Sequence, residues 1–268
     1  MARAAPLTTV LMPAYDAEAT IREAVESALA QTEERIEVCV VDDHSRTPVG
    51  EVLGDVRDPR LRVIRHERNR GTPAARNTGL AAARSPFVSQ LDADDAWEPN
   101  YVERILPCFE DPAVGLAYSN THIVGHPTGH DDYIGDPAPH PIDTFPKFAE
   151  QNPAAALTVT MRTGAVRAVG GYATWLWCTS DYQLYAKLIA AGWRFAYVHE
   201  QLARYRWPEP TRGKSFDTER LERSVLKQWI AFVMRHPLTP GPRRQVRVRL
   251  RREAERAALR ARCAIRAS

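Results

Sequence analysis

The chain has 268 residues, 44% of them hydrophobic and 26% charged, which is the composition of an ordinary globular protein large enough to fold without disulfides. Its formal net charge of +3 comes from the arginine-rich stretch after residue 242, and the remainder is mildly acidic, which argues against a nucleic-acid-binding protein. The four cysteines form no CxxC pair and no segment has 18 uninterrupted apolar residues, so we expect a cytoplasmic protein without a zinc knuckle or a membrane span.

Strands and helices alternate over the first 120 residues. Apolar runs and apolar residues at helical spacing predict, in chain order, a strand at 8–12, a helix at 17–31, a strand at 36–41, a helix near 49–56, a strand at 61–64, a helix at 73–83, a strand at 87–91, a helix at 99–109 and a strand at 114–119. This alternation predicts an α/β fold with a Rossmann-like, mostly parallel sheet flanked by helices. Ligands of such sheets bind beyond the carboxyl ends of the strands.

The pattern changes after residue 124. Five prolines and three glycines in 125–146 predict a loop, which is either a mobile lid or a solvent-exposed connector. The following residues predict a strand at 157–161, a turn at 164–169, a helix at 180–191, a strand at 195–198 and helices at 217–235 and 243–262. We therefore divide the chain into a first half, 1–120, a second half of the same domain, 121–215, and a helical extension, 216–268.

The last predicted helix, 243–262, is basic and amphipathic, because Val246, Leu250 and Ala254 recur at near-helical spacing between arginines. Such a helix can lie on an anionic membrane surface. Its apolar face is mostly alanine, which favours the alternative that it packs on the acidic body of the protein or on a second subunit.

Aspartates cluster directly after three of the predicted strands. They are Asp16, then Asp42 and Asp43, then Asp92, Asp94 and Asp95. Six carboxylates at neighbouring strand ends repel one another unless a cation or the donor groups of a ligand lie between them. A hard divalent ion with carboxylate, water and phosphate ligands fits this pattern, although a single such aspartate commonly caps a helix.

The segment Gly71–Gly79, with the sequence GTPAARNTG, opens a helix next to these aspartates. It matches neither a P-loop nor the GxGxxG fingerprint, which argues against ATPases and dehydrogenases. Its arginine, Arg76, can neutralise phosphate charge or hold an aspartate in place.

In this order, the segments Pro13–Asp16, Asp42–Ser45, Gly71–Gly79 and Asp92–Asp95 resemble the family 2 glycosyltransferases with the GT-A fold. Later landmarks are Gly170-Gly171-Tyr172, the stretch 180–184 and Tyr205-Arg206. The resemblance implies a metal-dependent, inverting transfer of a sugar from a nucleoside diphosphate sugar, with UDP, GDP or dTDP as the nucleotide, to a hydroxyl of a glycan, lipid-linked or natural-product acceptor. The first half then binds the donor, and the second half binds the acceptor and supplies the catalytic base.

The resemblance also assigns roles to the aspartates and their neighbours. Residues that bind the donor nucleotide are Pro13, Tyr15, Asp16, Asp43, Arg76 and Asp94. Tyr15 is able to stack on the base. Asp95, together with Asp94, binds a divalent Mn²⁺ or Mg²⁺, and Asp92 supports Arg76. Asp181 matches the aspartate that serves as catalytic base in inverting members.

Two departures from the family pattern stand out. Ser180 occupies the position that is usually glutamate, and the histidine that commonly follows the Tyr-Arg pair is missing after Arg206. His199, at the predicted end of a strand, either helps to hold the metal or is structural. The departures leave an alternative open, in which the protein is a catalytically weak or inactive nucleotide-sugar-binding module or partner subunit.

Overall fold

A computed structural model describes residues 4–134, 154–176 and 178–207 of the chain. The strands in this part are β1 (Thr8–Ala14), β2 (Ile36–Asp42), β3 (Leu61–Arg65), β4 (Phe87–Gln90), β5 (Ala96–Trp97), β6 (Val114–Val124), β7 (Val159–Arg162) and β8 (Arg194–Arg206). The α-helices are α1 (Ile21–Leu29), α2 (Val49–Val52), α3 (Thr72–Ala82), α4 (Tyr101–Ile105), α5 (Thr163–Ala168) and α6 (Ser180–Ala190). Short 3₁₀ helices cover Leu106–Glu110 and Ala156–Thr158.

The strands form one sheet in the order β3-β2-β1-β4-β7-β6-β8-β5. β1 pairs in parallel with both β2 and β4, and β2 pairs in parallel with β3. β7 is antiparallel to both β4 and β6, and β5 is antiparallel to β8. β6 pairs in parallel with β8, so four of the seven neighbouring pairs in the described sheet are parallel. The sheet is therefore mixed, with parallel pairs in the majority as predicted.

Helices cover both faces of the sheet, as the alternation of residues along β1 requires. Val10 and Met12 pack on one side with the apolar face of α1 and with α4. Leu11 packs on the other side with apolar residues of α5 and α6. Because β1 is buried on both faces, it is an interior strand of the sheet, between β2 and β4.

The two strands of the second half are longer than the sequence predicts. β6 continues to Val124 and β8 continues to Arg206, where the strand ends beside β5. The pairing of β6 with β8 shifts between Ser119–Val198 and Asn120–Gln201, so two residues of β8 bulge out of register there. The extended β8 thereby reaches the turn that follows β4.

Part of the sequence-based description lies outside the described residues. The predicted helices 217–235 and 243–262 belong to that part, as does the loop after residue 134. The described beginning of the loop turns back on β6, where Asp132 bridges to His122. Within the described ranges, no helix is both long enough and apolar enough to cross a membrane. Cys39, Cys108 and Cys178 are free thiols.

Candidate functional site

The carboxyl end of β1 opens the candidate site. Pro13 is part of the strand, and Tyr15 follows it with 53% of its surface exposed. Asp16 adopts a left-handed backbone conformation with φ of 48°. Its carboxylate accepts hydrogen bonds from the backbone N–H of Arg46 at 2.9 Å and from Nε of the same residue at 3.0 Å. The Asp16 carboxylate thus joins the loops after β1 and β2, and Tyr15 offers a free aromatic face.

Asp42, the last residue of β2, is fully buried and bonded within the chain. Its carboxylate accepts hydrogen bonds from the backbone N–H groups of Ser45 at 2.8 Å and Val49 at 3.1 Å, and from the guanidinium of Arg65. Burial alone would raise the pKa of Asp42, but these donors hold it below its ordinary value. Asp42 therefore organises the turn into α2.

Asp43 is also buried, and three donors converge on its carboxylate. Oδ1 lies 2.7 Å from Nδ1 of His66 and 2.9 Å from the backbone nitrogen of Arg70. Oδ2 accepts the backbone N–H of Gly71 at 2.7 Å. Asp43 and Asp42 therefore find their partners in the chain itself, as Asp16 does. The prediction that all six carboxylates need a cation or a ligand between them is wrong for these three.

At the end of β4 the aspartates are arranged differently. Asp92 accepts a hydrogen bond of 2.6 Å from the guanidinium of Arg76, so the ion pair that the sequence predicts is present. The Arg76 side chain is 5% exposed, and its guanidinium lies 5.7 Å from the ring centre of Tyr172. Burial acts to lower the pKa of Arg76, but the charges of Asp92 and Asp181 raise it above its ordinary value.

Asp95 is 3% exposed, whereas Asp94 is exposed. Oδ1 of Asp95 accepts the backbone N–H of Arg206, the last residue of β8, at 2.8 Å. Burial and the charges of Asp94 and Asp92 raise the pKa of Asp95 well above its ordinary value. Burial and the charge of Asp95 likewise raise the pKa of Tyr205, which faces the same group. The chain therefore offsets only part of the negative charge of these carboxylates.

Asp181 lies in the first turn of α6. The helix is preceded by Thr179, whose φ of 63° is left-handed, so Thr179 and not Asp181 occupies the N-cap position. Oδ1 of Asp181 accepts the backbone N–H of Tyr182 at 2.8 Å. Burial and the charge of Asp181 raise the pKa of Tyr185, one helical turn further on. Since Asp181 also acts on the buried Arg76, the fold brings it close to the Asp92 ion pair.

A second contact holds this part of the site together. Nδ2 of Asn77 donates to the backbone oxygen of Tyr172 at 2.8 Å, and Oδ1 accepts the backbone N–H of the same residue at 2.9 Å. Gly171, which precedes Tyr172, has a φ of +62°, and a Cβ added there would lie 2.6 Å from Oδ1 of Asn77. Only glycine fits this close contact, so the Gly-Gly-Tyr sequence allows its loop to pack tightly against α3.

His199 is not at the end of a strand, and that prediction is wrong. It is an exposed residue in the bulge of β8, next to Glu200, and its ring contacts Tyr197. Seven residues separate it from Arg206, which is about 20 Å of strand. His199 is therefore remote from Asp95.

The donor set at Asp95 fits a divalent ion that takes most of its ligands from a substrate. In the described ranges, no three His, Cys, Asp or Glu side chains are grouped as metal ligands. Asp95 and Asp94 can supply two carboxylates, and a buried carboxylate with a raised pKa gains from a nearby cation. The remaining ligands of such an ion are then water and diphosphate oxygens.

Sequence analysis missed His66 and gave Arg206 only as a landmark of the family resemblance, without a role. His66 and Arg206 both follow or end a strand at the same edge of the sheet, so strand-end position was the available signal. Gln90, the last residue of β4, was missed as well: its amide accepts from Tyr172 Oη at 2.9 Å and donates to Tyr185 Oη at 2.7 Å. No local pattern marks Gln90, because its partners are 82 and 95 residues away.

A family comparison decides the classification. Residues 9–169, more than half of the chain, match the family described as "Glycosyl transferase family 2". The chain belongs to this family. The matched range ends before Asp181, so the second half of the site is not covered by the family match.

Curated relatives agree with this assignment. Succinoglycan biosynthesis protein ExoU of Rhizobium meliloti is 33% identical over 214 residues, which cover 74% of this chain and 62% of ExoU. The Escherichia coli protein WfgD, named UDP-Glc:alpha-D-GlcNAc-diphosphoundecaprenol beta-1,3-glucosyltransferase, is 30% identical over 58% of this chain and 60% of its own length. Succinoglycan biosynthesis protein ExoO of R. meliloti is 38% identical over 44% of this chain and 34% of ExoO. The chain thus spans about one third to three fifths of these relatives.

Solved structures share the fold. Staphylococcus aureus TarS in complex with UDP-GlcNAc superposes with a TM-score of 0.73 at 18% identity, covering 92% of this chain and 72% of TarS. The mannosyltransferase PcManGT of Pyrobaculum calidifontis, in complex with GDP-Man and Mn²⁺, gives 0.68 at 18% identity, covering 92% of this chain and 70% of PcManGT. The overall architecture is therefore that of the GT-A glycosyltransferases.

Proposed function

We propose that this family 2 protein is a metal-dependent, inverting glycosyltransferase that moves a sugar from a nucleoside diphosphate sugar to an acceptor hydroxyl. The observation that carries the proposal is the meeting of Asp95, Arg76 and Asp181 at the carboxyl edge of the sheet. A buried, partly compensated carboxylate, a buried guanidinium and a first-turn carboxylate together provide charges for a diphosphate leaving group and a proton acceptor for the incoming hydroxyl.

In this proposal the nucleotide lies across the ends of β1 and β2. Tyr15, which is half exposed, stacks on the base, and Pro13 shapes the floor beside it. Asp43 accepts an N–H of the base, which suits uracil, thymine and guanine because each presents a ring N–H. Asp94 is exposed and faces the ribose.

The diphosphate lies at the end of β4. A divalent ion, Mn²⁺ or Mg²⁺, bound there offsets the charge that develops on the leaving diphosphate. Asp95 and Asp94 would hold it. Asp92 keeps the Arg76 guanidinium at the carboxyl edge through their 2.6 Å contact. Arg76 then adds positive charge at the edge without a large side-chain rearrangement, since its side chain is almost fully buried.

Asp181 takes the proton of the acceptor hydroxyl as it attacks the anomeric carbon. One base on the acceptor side and a leaving group on the other suit a single in-line displacement, which inverts the anomeric centre. Thr179 at the N-cap of α6 makes no side-chain capping hydrogen bond, and Oδ1 of Asp181 accepts the N–H of Tyr182 in the first turn. This contact orients the second oxygen of Asp181 for catalysis.

A lipid-linked or polysaccharide acceptor is the best-supported class. WfgD is named for a diphosphoundecaprenol-linked acceptor, and ExoU and ExoO for succinoglycan biosynthesis. We propose a cytoplasmic protein whose basic segment 243–262 packs on the acidic body or on a second subunit, which its mostly alanine apolar face favours; peripheral contact with the inner face of the membrane is the alternative. Co-sedimentation of the full-length protein and of residues 1–242 with anionic liposomes tests this; equal pelleting excludes the membrane role and favours packing on the body or on a second subunit.

Thermal-shift measurements with UDP-, GDP- and dTDP-sugars, each with and without Mn²⁺, test the donor part of the proposal. Ligand binding to the folded state stabilises it by RT ln(1 + [L]/Kd), so a true donor raises Tm only when the ion is present. Release of the nucleoside diphosphate without acceptor then tests catalysis. Metal-dependent binding with no release and no transfer would instead support the inactive binding module that the Ser180 departure leaves open.

A further inference from the structure

His66 is a buried histidine whose two ring nitrogens are both engaged. It follows β3, and its side chain is 5% exposed. Nδ1 lies 2.7 Å from Oδ1 of Asp43, and Nε2 lies 2.9 Å from Oγ1 of Thr78 in α3. The imidazole therefore connects the end of β2 with the helix that also carries Arg76.

The chemistry of the partners fixes which group donates. A carboxylate can only accept, so Nδ1 of His66 carries a hydrogen and donates to Asp43. Nε2 of a neutral ring is then an acceptor, and the hydroxyl of Thr78 donates to it. The ring has a single favourable orientation in this arrangement, because a flip would place a C–H group against each partner.

The same bonds leave one acceptor position on Asp43. An ionised carboxylate has about four acceptor positions. The His66 imidazole and the backbone of Arg70 use those of Oδ1, and the backbone of Gly71 uses one of Oδ2. Oδ2 therefore keeps one acceptor position that no described contact uses.

We propose that His66 is a positioning residue for nucleotide binding, which holds Asp43 in the rotamer that presents Oδ2 to the N–H of the donor base. The inference rests on the proposed nucleotide-binding function and concerns only the role of His66 within it. Without the Nδ1–H contact, two backbone donors still bind Asp43, one from Arg70 and one from Gly71, the N-cap residue of α3. Both come from the segment that leads into the helix, whereas the imidazole of His66 ties the carboxylate to Thr78, further along α3.

Two isosteric substitutions separate the contributions of the two nitrogens. In His66→Asn the amide N–H lies near the former Nδ1 and can still donate to Asp43. In His66→Gln the amide lies near the former Nε2, so the contact with Thr78 is kept and the contact with Asp43 is lost. Thr78→Val keeps the ring and removes its anchor. Thr9→Val is the matched control: it removes a buried hydroxyl that bonds Glu37 and Ser85 near the amino-terminal end of β1, away from the site.

Binding of UDP, GDP and dTDP in the presence of Mn²⁺, measured by titration calorimetry, provides the readout. For the nucleotide that binds wild type, we expect His66→Asn to stay within about threefold of the wild-type Kd and His66→Gln to weaken it about tenfold or more. We expect a smaller loss for Thr78→Val, about threefold, and none for Thr9→Val. In turnover assays His66→Gln should raise the donor KM and leave kcat almost unchanged.

The outcomes distinguish the inference from the function on which it rests. If wild type binds none of the three nucleotides, the proposed function fails and the inference fails with it. If wild type binds and His66→Gln binds equally well, or if the Asn and Gln variants are weakened equally, the inference alone is overturned. Should His66→Gln not fold, Thr78→Val decides, because binding at the wild-type Kd would contradict anchoring through the ring.

Discussion

The ends of β2 and β4 both carry clustered aspartates but differ in electrostatics. Asp42, the last residue of β2, and Asp43 after it are both buried, and each accepts three hydrogen bonds from the chain. Asp95 after β4 is also buried, yet its described hydrogen bond is a single backbone N–H, and the charges of Asp94 and Asp92 act on it more strongly than that of Arg206. The pKa of Asp42 is lowered, whereas that of Asp95 is raised.

This difference separates structural from functional acidic residues better than burial does. A carboxylate surrounded by donors is stable as an anion and shapes the backbone. The ionised form of a carboxylate among other carboxylates is unfavourable until a cation binds. Proteins retain such a group where ligand binding requires it. Asp42 at the end of β2 is therefore a structural residue, whereas Asp95 after β4 is prepared for a cation. Asp43 combines both roles, because three donors of the chain hold it and one acceptor position remains for the proposed base contact.

The most severe test of this comparison is Asp95→Asn. We expect it to abolish Mn²⁺-dependent nucleotide binding and, in the metal-free protein, to increase the free energy of unfolding at neutral pH, because a buried carboxylate with a raised pKa destabilises the fold once it is ionised. Asparagine Oδ1 still accepts the N–H of Arg206, so the turn is preserved. Calorimetric titration and chemical denaturation measure the two effects.

The sign of the pH dependence follows from the raised pKa of Asp95. Its contribution to stability is present below the pKa of the unfolded chain, about 4, and is lost as the pH rises through the higher folded value. The free energy of unfolding of metal-free wild type should therefore fall as the pH rises through this range. Asp95→Asn should lack this decrease, because asparagine does not titrate. A variant that is less stable than wild type at pH 7 without metal would break the comparison.

Asp181→Asn extends the comparison to the second half of the site. Asparagine keeps the shape and the acceptor for the N–H of Tyr182 but takes no proton. We expect kcat to fall at least about a hundredfold, with Tm and donor affinity retained. Steady-state kinetics with a donor that the thermal-shift screen identifies provides the measurement, and transfer within a few-fold of wild type would exclude Asp181 as the base.

Asp42→Ala tests the structural side of the comparison. It leaves the N–H groups of Ser45 and Val49 without their acceptor, and we expect a loss of about 2 kcal/mol or more in the free energy of unfolding. Metal dependence of nucleotide binding should persist in the folded fraction. Denaturant titration measures the first effect, and a stability equal to that of wild type would show that the β2 end is not a structural anchor.

The smallest effect is expected for Arg206→Ala. Its side chain pairs with Glu23 at 2.7 Å, but both partners are almost half exposed, so the pair contributes less than about 1 kcal/mol. The contact with Asp95 is made by the backbone and survives the substitution. Mn²⁺ affinity, measured with a fixed nucleotide, should stay within about threefold of wild type; a larger loss would assign the guanidinium a direct role.

Local pattern predicts much of the fold and the acidic part of the site. The strand predicted at 36–41 is Ile36–Asp42, and the helix predicted at 73–83 is Thr72–Ala82, because both have uninterrupted apolar or alanine-rich patterns. β8 is underestimated because exposed charged side chains interrupt it, Arg204 and Arg206 among them. The direction of β7 depends on how the preceding chain returns to the sheet, which no local pattern records.

The site shows the same division between local and distant information. The spacing of aspartates predicts where charge collects, and the ion pair of Arg76 with Asp92 follows from it. The spacing does not predict which aspartates find hydrogen-bond partners in the chain. The partners of Asp43, for example, lie 23 to 28 residues away on another strand end and loop. Asp95 is buried by contact with β8, which lies more than 100 residues later in the chain.

The paired hydrogen bonds between Asn77 and the backbone of Tyr172 limit how the protein can be recombined. The family match ends at residue 169, three residues before Tyr172. A chimera joined at that boundary would separate Asn77 from both of its partners and would take β8 away from Asp95. A junction placed after Tyr172 keeps both hydrogen bonds of Asn77 within one parent, whereas the contact of β8 with Asp95 crosses any junction between them.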